Sequence, residues 1–549
     1  MTSPRRTAYD QLAALQARGA RANPYRAGRS RAMGRHGCVA SSHPLATLAG
    51  LDCLRTGGTA MDAAITTAAT LAVVEPMMTG IGGDAFFLHW DAATKELTGL
   101  NGSGRSPAAL ERDHFERAGI AEIATDSWEA VTVPGAVAAW HAGWEHFGSR
   151  PFAELLAPAI DHAEGGFPVG DVVGAAWRAY EDRLRPDRHA RANYLAGDAA
   201  PGAGSIFRSP ELGRSLRVVA EGGPEAFYRG PIAAEICRYS EETGGFLQPS
   251  DFAAHESRWV DPIQTTFRGH RIAQIPPNGQ GLAVLLMLNL LETADLQGMG
   301  HSSIDYLHHL IEIKKIAYSD LHRWVADPEH ANVPVQSLLS AEYAAGRRTL
   351  VDPQKAAHDT TPGSPNGHDT VYLSVVDEAG NAVSFINSLF DAFGSKIVGG
   401  DTGILLHNRG CGFTLQSGHP NEYGPGKRPF HTIIPGMVLR DDELYLSYGV
   451  MGGPFQPQGH LQFLLSHLEF GLSIQEAIDL PRWRHTEETT VLLEHGTSEK
   501  TMKGLENRGH DVLPAHGSAF GGAQAIQIGP DATRIGASDP RKDGCALAY

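Results

Sequence analysis

A chain of 549 residues, 42% hydrophobic and 20% charged, has ordinary globular composition and ample length for a large core. Its net charge of −16 speaks against a nucleic-acid partner, since neutralising phosphates takes clustered Lys and Arg. The longest apolar run, Leu282 to Leu291, is too short for a bilayer and is interrupted by Asn289, so no membrane span is expected.

Residues 1–36 form a basic arm in which eight arginines stand against one acid, Asp10, which reads as a mobile or surface-lying extension. The arm has no apolar stretch long enough for a signal-peptide core. Cys38, Cys53, Cys237, Cys411 and Cys545 are odd in number and lack CxxC spacing, so thiols in a reducing compartment fit better than disulfides or a zinc site. These features lead us to expect a cytoplasmic protein.

After the arm, Gly37 to Ser42 reads as a short strand, and Pro44 opens a helix that runs to Arg55 and stops at Gly57 and Gly58. Thr59 and Asp62 have capping-box spacing at the start of a second helix, AAITTAATLAVV, which is small and apolar nearly all round and so belongs inside the protein. Pro76 ends it. The glycine-rich Thr79 to Gly83 follows a helix and opens a strand, AFFLHW; a dinucleotide loop has the reverse order, so no cofactor is expected there. From about Ser127 to Arg348 the periodicity is chiefly helical. Ile304, Leu307, Ile311, Tyr318 and Leu321 recur behind Ser303, a good N-cap, and His308, His309 and Glu312 ride on that helix or its flank. Adjacent histidines point about 100° apart, and no further His completes an HExxH or HxxEH pattern, so no metal is expected.

The chain changes character at Thr370. Thr360 to Asp369 (TTPGSPNGHD) is a turn-rich linker, whereas Thr370 to Val376 and Ala382 to Ile386 read as strands joined by a turn over Glu378 to Asn381. Further strands are expected at Gly403 to Leu406, Ile433 to Leu439 and Ala523 to Ile528, with helices at His460 to Phe470 and Ser473 to Asp479. A threonine opening a strand is most simply there for β propensity. Cutting the bond before it would give one residue both a hydroxyl nucleophile and an α-amine, whose pKa of about 7.7–8.0 suits a general base.

The run from Asp369 through Phe413, with PGKRPFHTIIPGMV, YGVMGG, SSHPLATLAGLDCLRTGGTAMDAA, EPMMTGIGGDAFF, VTVPGAVAAW and GASDPRKDGCALAY, resembles the γ-glutamyltransferase (glutathione hydrolase-like) family of N-terminal-nucleophile hydrolases. The resemblance spans about Gly37 to Tyr549, in order. It implies an α/β (α+β) fold, the four-layer αββα sandwich, as one unit made of a large-subunit portion, 37–369, and a small-subunit portion, 370–549. Autocleavage would fall between Asp369 and Thr370. It also implies a small-molecule amide substrate, water or an amine as acceptor, no cofactor and two fragments of one precursor; a homo-oligomer is left open. Thr370 takes the place of the catalytic nucleophile and Ser388 that of a hydroxyl beside it. Gly452 and Gly453 take the place of the glycines whose backbone N–H groups receive the oxyanion.

The departures bear on specificity. Phe390 stands where γ-glutamyl-specific relatives have Asn, Gly412 where an Asp holds the glutamyl ammonium, and Arg409 where a Gln or Glu assists. His431 and Thr432 replace a serine pair, and Ser103 replaces the arginine that binds the glutamyl carboxylate, with Arg105 two residues away. A guanidinium repels an ammonium and favours a carboxylate or a neutral group. The expected function is self-processing amide hydrolysis or acyl transfer with a rewritten acyl pocket. The substrate is then glutathione-like, or a carboxylate-bearing non-glutamyl amide of the oxamate, glutaryl or cephalosporin acylase kind. A non-catalytic scaffold of the same fold is the alternative of another class, and the retention of Thr370, Ser388, Gly452 and Gly453 speaks against it.

Overall fold

The computed structural model describes residues 29–358 and 369–549, with Asp369 described by its backbone. Residues 1–28 of the expected arm, and 359–368 with all of the expected linker but Asp369, lie outside the described residues. The body is built on two seven-stranded sheets whose members, in chain order, are β1 Ala32–Gly34, β2 Cys38–Ser41, β3 Asp84–Asp91, β4 Glu96–Asn101, β5 Arg258–Val260, β6 Ile263–Phe267, β7 His270–Gln274, β8 Asp369–Val376, β9 Ala382–Phe390, β10 Gly436–Arg440, β11 Glu443–Met451, β12 Gly522–Ile528, β13 Arg534–Ser538 and β14 Cys545–Ala548. One sheet has the order β14-β2-β8-β9-β3-β4-β5 and the other β1-β13-β12-β11-β10-β7-β6. Every pairing within them is antiparallel.

Side chains alternate along each strand, so one set meets the other sheet and the next set meets helices. Phe86, Leu88, Trp90, Tyr372 and Ile386 pack against Met437, Leu439 and Ile526 in the layer between the sheets. On the outer face of the first sheet, Phe87, Val371, Leu373, Val375 and Phe385 join a core with α1 Pro44–Arg55, α2 Ala60–Val74 and α3 Ala136–Phe147. On the outer face of the second, Val438, Leu446, Val450 and Ala525 join one with α4 Gly281–Leu291, α5 Ile304–Trp324 and α6 Gln456–Leu464. The result is the αββα sandwich. Helix α2 is buried at every residue and opens with the Thr59–Asp62 capping box. Its smallness lets α1 close in: a Cβ on Gly50 would collide with the Thr67 hydroxyl.

Some local expectations change. The strands β5, β6 and β7 fall in a stretch whose pattern is chiefly helical; they are short and half exposed, and β5 and β6 lie at sheet edges, so their apolar alternation is weak. Gly403 to Leu406 is not a strand, because Gly403 turns the chain at φ +68° and Val398 pairs with Leu405 only as an isolated bridge. The expected strand from Ile433 begins at Gly436, and the helix expected from His460 begins at Gln456. Within the expected arm, Ala32–Gly34 is an edge strand paired with β13. The five cysteines are unpaired, and among the described residues no helix is long and apolar enough to cross a membrane.

Candidate active site

Strand β8 lies in the middle of its sheet, between β2 and β9. Its inward residues meet β11 across the sandwich in steps of two. Ser374 Oγ donates to Ser447 Oγ at 2.6 Å, and the Tyr372 ring lies flat where a Cβ on Gly449 would stand. Two residues before Tyr372 stands Thr370, and two residues after Gly449 stands Met451, directly before Gly452 and Gly453. Inward positions on β9 run Ser384, Ile386, Ser388, and Ser388 pairs with Asp84 at the start of β3. Thr370, Ser388 and Asp84 therefore meet at one end of the inter-sheet layer. Thr370 Oγ1 lies 3.0 Å from Ser388 Oγ, which also accepts the Phe390 N–H at 2.8 Å. Both hydroxyls are buried, Thr370 at 1% exposure in the uncut chain.

Gly452 and Gly453 have φ of +127° and +55°, values that favour glycine, and Gly453 begins the helical run that continues into α6. The first N–H groups of such a run have no intrahelical partner and so can serve an anion. Gln280 Nε2 donates to the carbonyls of both Thr432 (2.6 Å) and Gly453 (2.8 Å), tying this turn to the segment that carries Thr432.

Behind the hydroxyl pair lies a buried ionic cluster centred on Asp84. Its Oδ1 accepts the N–H groups of Gly104 (3.3 Å) and Gly135 (3.2 Å). Its Oδ2 lies 2.9 Å from His431 Nε2, 3.4 Å from His407 Nδ1 and 3.9 Å from Arg409 Nε. Burial alone would raise the Asp84 carboxyl, but the His407 and His431 imidazoles hold it well below the ordinary carboxylate range. His431 Nδ1 accepts the Ile433 N–H, so Nε2 carries the ring proton and donates to Asp84. Burial, then the Arg409 charge, pushes His431 down to about 3, so its imidazole is neutral at ordinary pH. His460, buried under β11, is likewise pushed down to about 3 by burial.

These depressed values predict acid sensitivity. Between an unfolded value of about 6.5 and a folded value near 3, the unfolded chain takes up protons that the folded chain refuses, so stability falls as the pH drops through that window. Urea midpoints measured from pH 7.5 to 4.5 are expected to fall steadily, and less steeply in His431→Asn. A flat profile would mean that the imidazoles are already charged in the folded state.

The specificity positions divide. Phe390, Gly412 and Thr432 line one cavity of about 290 Å³, together with Phe413, Phe430 and Pro454; among the described residues the exposed Glu122 is its single acid, and no Lys or Arg lines it. Arg409 does not reach this wall. It is fully buried, with Nη1 donating to Thr432 Oγ1 at 2.8 Å and the Phe390 ring lying over the guanidinium, 4.4 Å from Cζ. In this conformation the expected substrate-facing guanidinium meets Thr432 and the Phe390 ring rather than the open cavity. Arg105 lies elsewhere: Nη1 holds Glu329 at 2.6 Å, a carboxylate shared with Arg258 and Arg428. Ser103 is buried and accepts a bond from Asn278 Nδ2 at 3.2 Å. Gly412 has no room for the family's Asp, since a Cβ there would strike the Phe430 carbonyl.

Away from this site, His308, Glu312 and His510 come together within ligand distance, a grouping that sequence missed because His510 is remote. Lys315 Nζ sits 2.9 Å from Glu312 Oε1, so the protein's own ammonium serves this carboxylate. The cluster also holds the chain before the linker: His308 Nε2 bonds the Asp352 carbonyl and Lys315 Nζ the Ala357 carbonyl, each at 2.8 Å.

The chain is similar to known proteins over nearly its whole length. The sequence profile of the family described as Gamma-glutamyltranspeptidase matches residues 46–549. The glutathione hydrolase-like YwrD proenzyme of Bacillus subtilis is 38% identical over 517 residues, covering 93% of this chain and 98% of that one. The oxamate amidohydrolase proenzyme of Klebsiella pneumoniae is 34% identical over 94% of this chain and 98% of its own. The crystal structure of cephalosporin acylase from Bacillus halodurans matches with a TM-score of 0.90 at 39% identity, covering 96% of this chain and 98% of that one. With a buried threonine opening a central strand of an αββα sandwich, and the family profile running from α1 to the last residue, the chain belongs to the γ-glutamyltranspeptidase family of N-terminal-nucleophile hydrolases and is an amide hydrolase or acyltransferase.

Proposed function

We propose that Thr370 is both the processing residue and the nucleophile of an amidase whose acyl group is not γ-glutamyl. In processing, Thr370 Oγ1 adds to the Asp369 carbonyl, the peptide nitrogen leaves as a free α-amine, and water cleaves the resulting ester. In turnover, that amine takes the hydroxyl proton as Oγ1 attacks the substrate amide and returns a proton to the leaving amine; water or an amine acceptor then removes the acyl group. The contact that carries this reading is the 3.0 Å pair of Thr370 Oγ1 and Ser388 Oγ. Gly452 and Gly453 supply the oxyanion N–H groups, and Ser388 orients the attacking hydroxyl. The two fragments would stay together, because β8, β9 and β14 from beyond the cut interleave in one sheet with β2 to β5 from before it.

The acyl pocket is the cavity beside Phe390 and Thr432. Gly412 offers no carboxylate, and the wall of Phe390, Phe413 and Phe430 would desolvate an α-ammonium without pairing it, which is costly. Relatives named for oxamate and for cephalosporin support a non-glutamyl acyl group. In a p-nitroanilide panel, kcat/KM for γ-glutamyl is expected to lie at least about tenfold below that of the best ammonium-free acyl group, the scale set by one unpaired charge. A γ-glutamyl optimum would overturn the specificity reading. A single uncut chain without turnover on any amide would favour a silent scaffold.

A further inference from the structure

The Arg409 guanidinium is buried but only partly used. Nη1 serves Thr432 Oγ1, while among the described residues neither Nε nor Nη2 finds a hydrogen-bond partner, although Nε lies 3.9 Å from Asp84 Oδ2. Buried N–H groups are rarely left without a partner, and a guanidinium presents its donors as a fork matched to a carboxylate. The acyl cavity is immediately adjacent, since Thr432 and Phe390 both line it. What stands between the cavity and the guanidinium is the Phe390 ring, 4.4 Å from Cζ.

The backbone that carries that ring is held in place. Phe390 has φ +76°, a conformation that bulky residues seldom adopt, and its N–H is fixed on Ser388 Oγ, the hydroxyl that also touches Thr370. The backbone is thus pinned to the site, and any uncovering of Arg409 falls to the side-chain torsions of Phe390. We propose that Phe390 is a cover over a carboxylate subsite made of Arg409 and Thr432, and that it determines whether the enzyme accepts acyl chains ending in a carboxylate. The subsite would take such chains only when they lack an α-ammonium, which the guanidinium would repel. Asp84 offsets part of the Arg409 charge and limits the gain. This inference rests on the acyl cavity assigned above and adds the ligand chemistry of its hidden wall.

The test compares kcat/KM for glutaryl-p-nitroanilide with that for 5-methylhexanoyl-p-nitroanilide, in which a branched alkyl end replaces the carboxylate. It uses the wild type, Phe390→Leu, Phe390→Ala and Phe390→Ala combined with Arg409→Gln, each checked for fragment formation. The glutaryl preference is expected to rise from Leu to Ala, reaching at least about tenfold over the wild type, and to disappear in the double variant. Free glutarate is expected to inhibit Phe390→Ala and not the double variant. An unchanged ratio in cut, active Phe390→Ala overturns the cover, and a rise that survives Arg409→Gln overturns the subsite. If no amide is turned over, the function proposed above fails instead, and calorimetry of glutarate binding to the same variants still decides the subsite.

Discussion

Thr370→Ala is expected to leave the chain in one piece and to reduce amide turnover by about 10⁴-fold or more, the scale on which hydroxyl-nucleophile enzymes fall when that hydroxyl is removed. Both losses come from one atom. Oγ1 is the group that would attack the Asp369 carbonyl, and it is the group placed 3.0 Å from Ser388 Oγ. Loss of packing does not explain such an effect, because a threonine-to-alanine change removes little volume and β8 keeps its ladder to β2 and β9. Thr370→Ser is expected to keep cleavage and activity at reduced rates, since it restores the hydroxyl without the methyl. Ser388→Ala is expected to slow both steps without abolishing either. Denaturing electrophoresis and sequencing of the small fragment provide the readout: its first residue should be Thr370. A fully active preparation whose small fragment starts elsewhere would falsify the assignment.

The strands after the linker were legible in sequence from their β-formers, and β8 and β9 stand where those residues are. The buried helix α2 was legible from its composition and its capping box. Asp84 was not, since its motif GIGGDAFF reads as loop and strand, and only the pairing of β3 with β9 sets Asp84 beside Ser388. His407 comes from an irregular segment with no periodicity to flag it. Arg409 shows a different limit. The family resemblance, which puts Arg409 where relatives have a Gln or Glu, suggested a guanidinium facing substrate, but whether it meets solvent or the Phe390 ring depends on a positive φ at Phe390, which no spacing rule anticipates for a phenylalanine. Arg105, two residues from Ser103, turned to Glu329 because three guanidinium groups converge on that carboxylate.

Gly453→Val is expected to lower kcat by about 10²- to 10³-fold in protein that has been cut at Thr370, the loss seen when one oxyanion donor is removed. The reason is conformational. Gly453 sits at φ +55° and Gly452 at φ +127°, and a β-branched residue is driven from the left-handed region toward extended backbone. That rotation re-aims the N–H groups at the start of the helical run and shifts the carbonyl that Gln280 holds at 2.8 Å. An N–H serving the oxyanion would interact with charge that develops in the transition state, so the loss should fall on kcat with KM nearly unchanged. Gln280→Ala offers a gentler perturbation of the same turn and is expected to move kcat in the same direction by less. Active-site titration of the freed Thr370 separates slow acylation from incomplete processing. If cut Gly453→Val turns over at the wild-type rate, the oxyanion must be held by other donors, and the turn after β11 serves only to start α6.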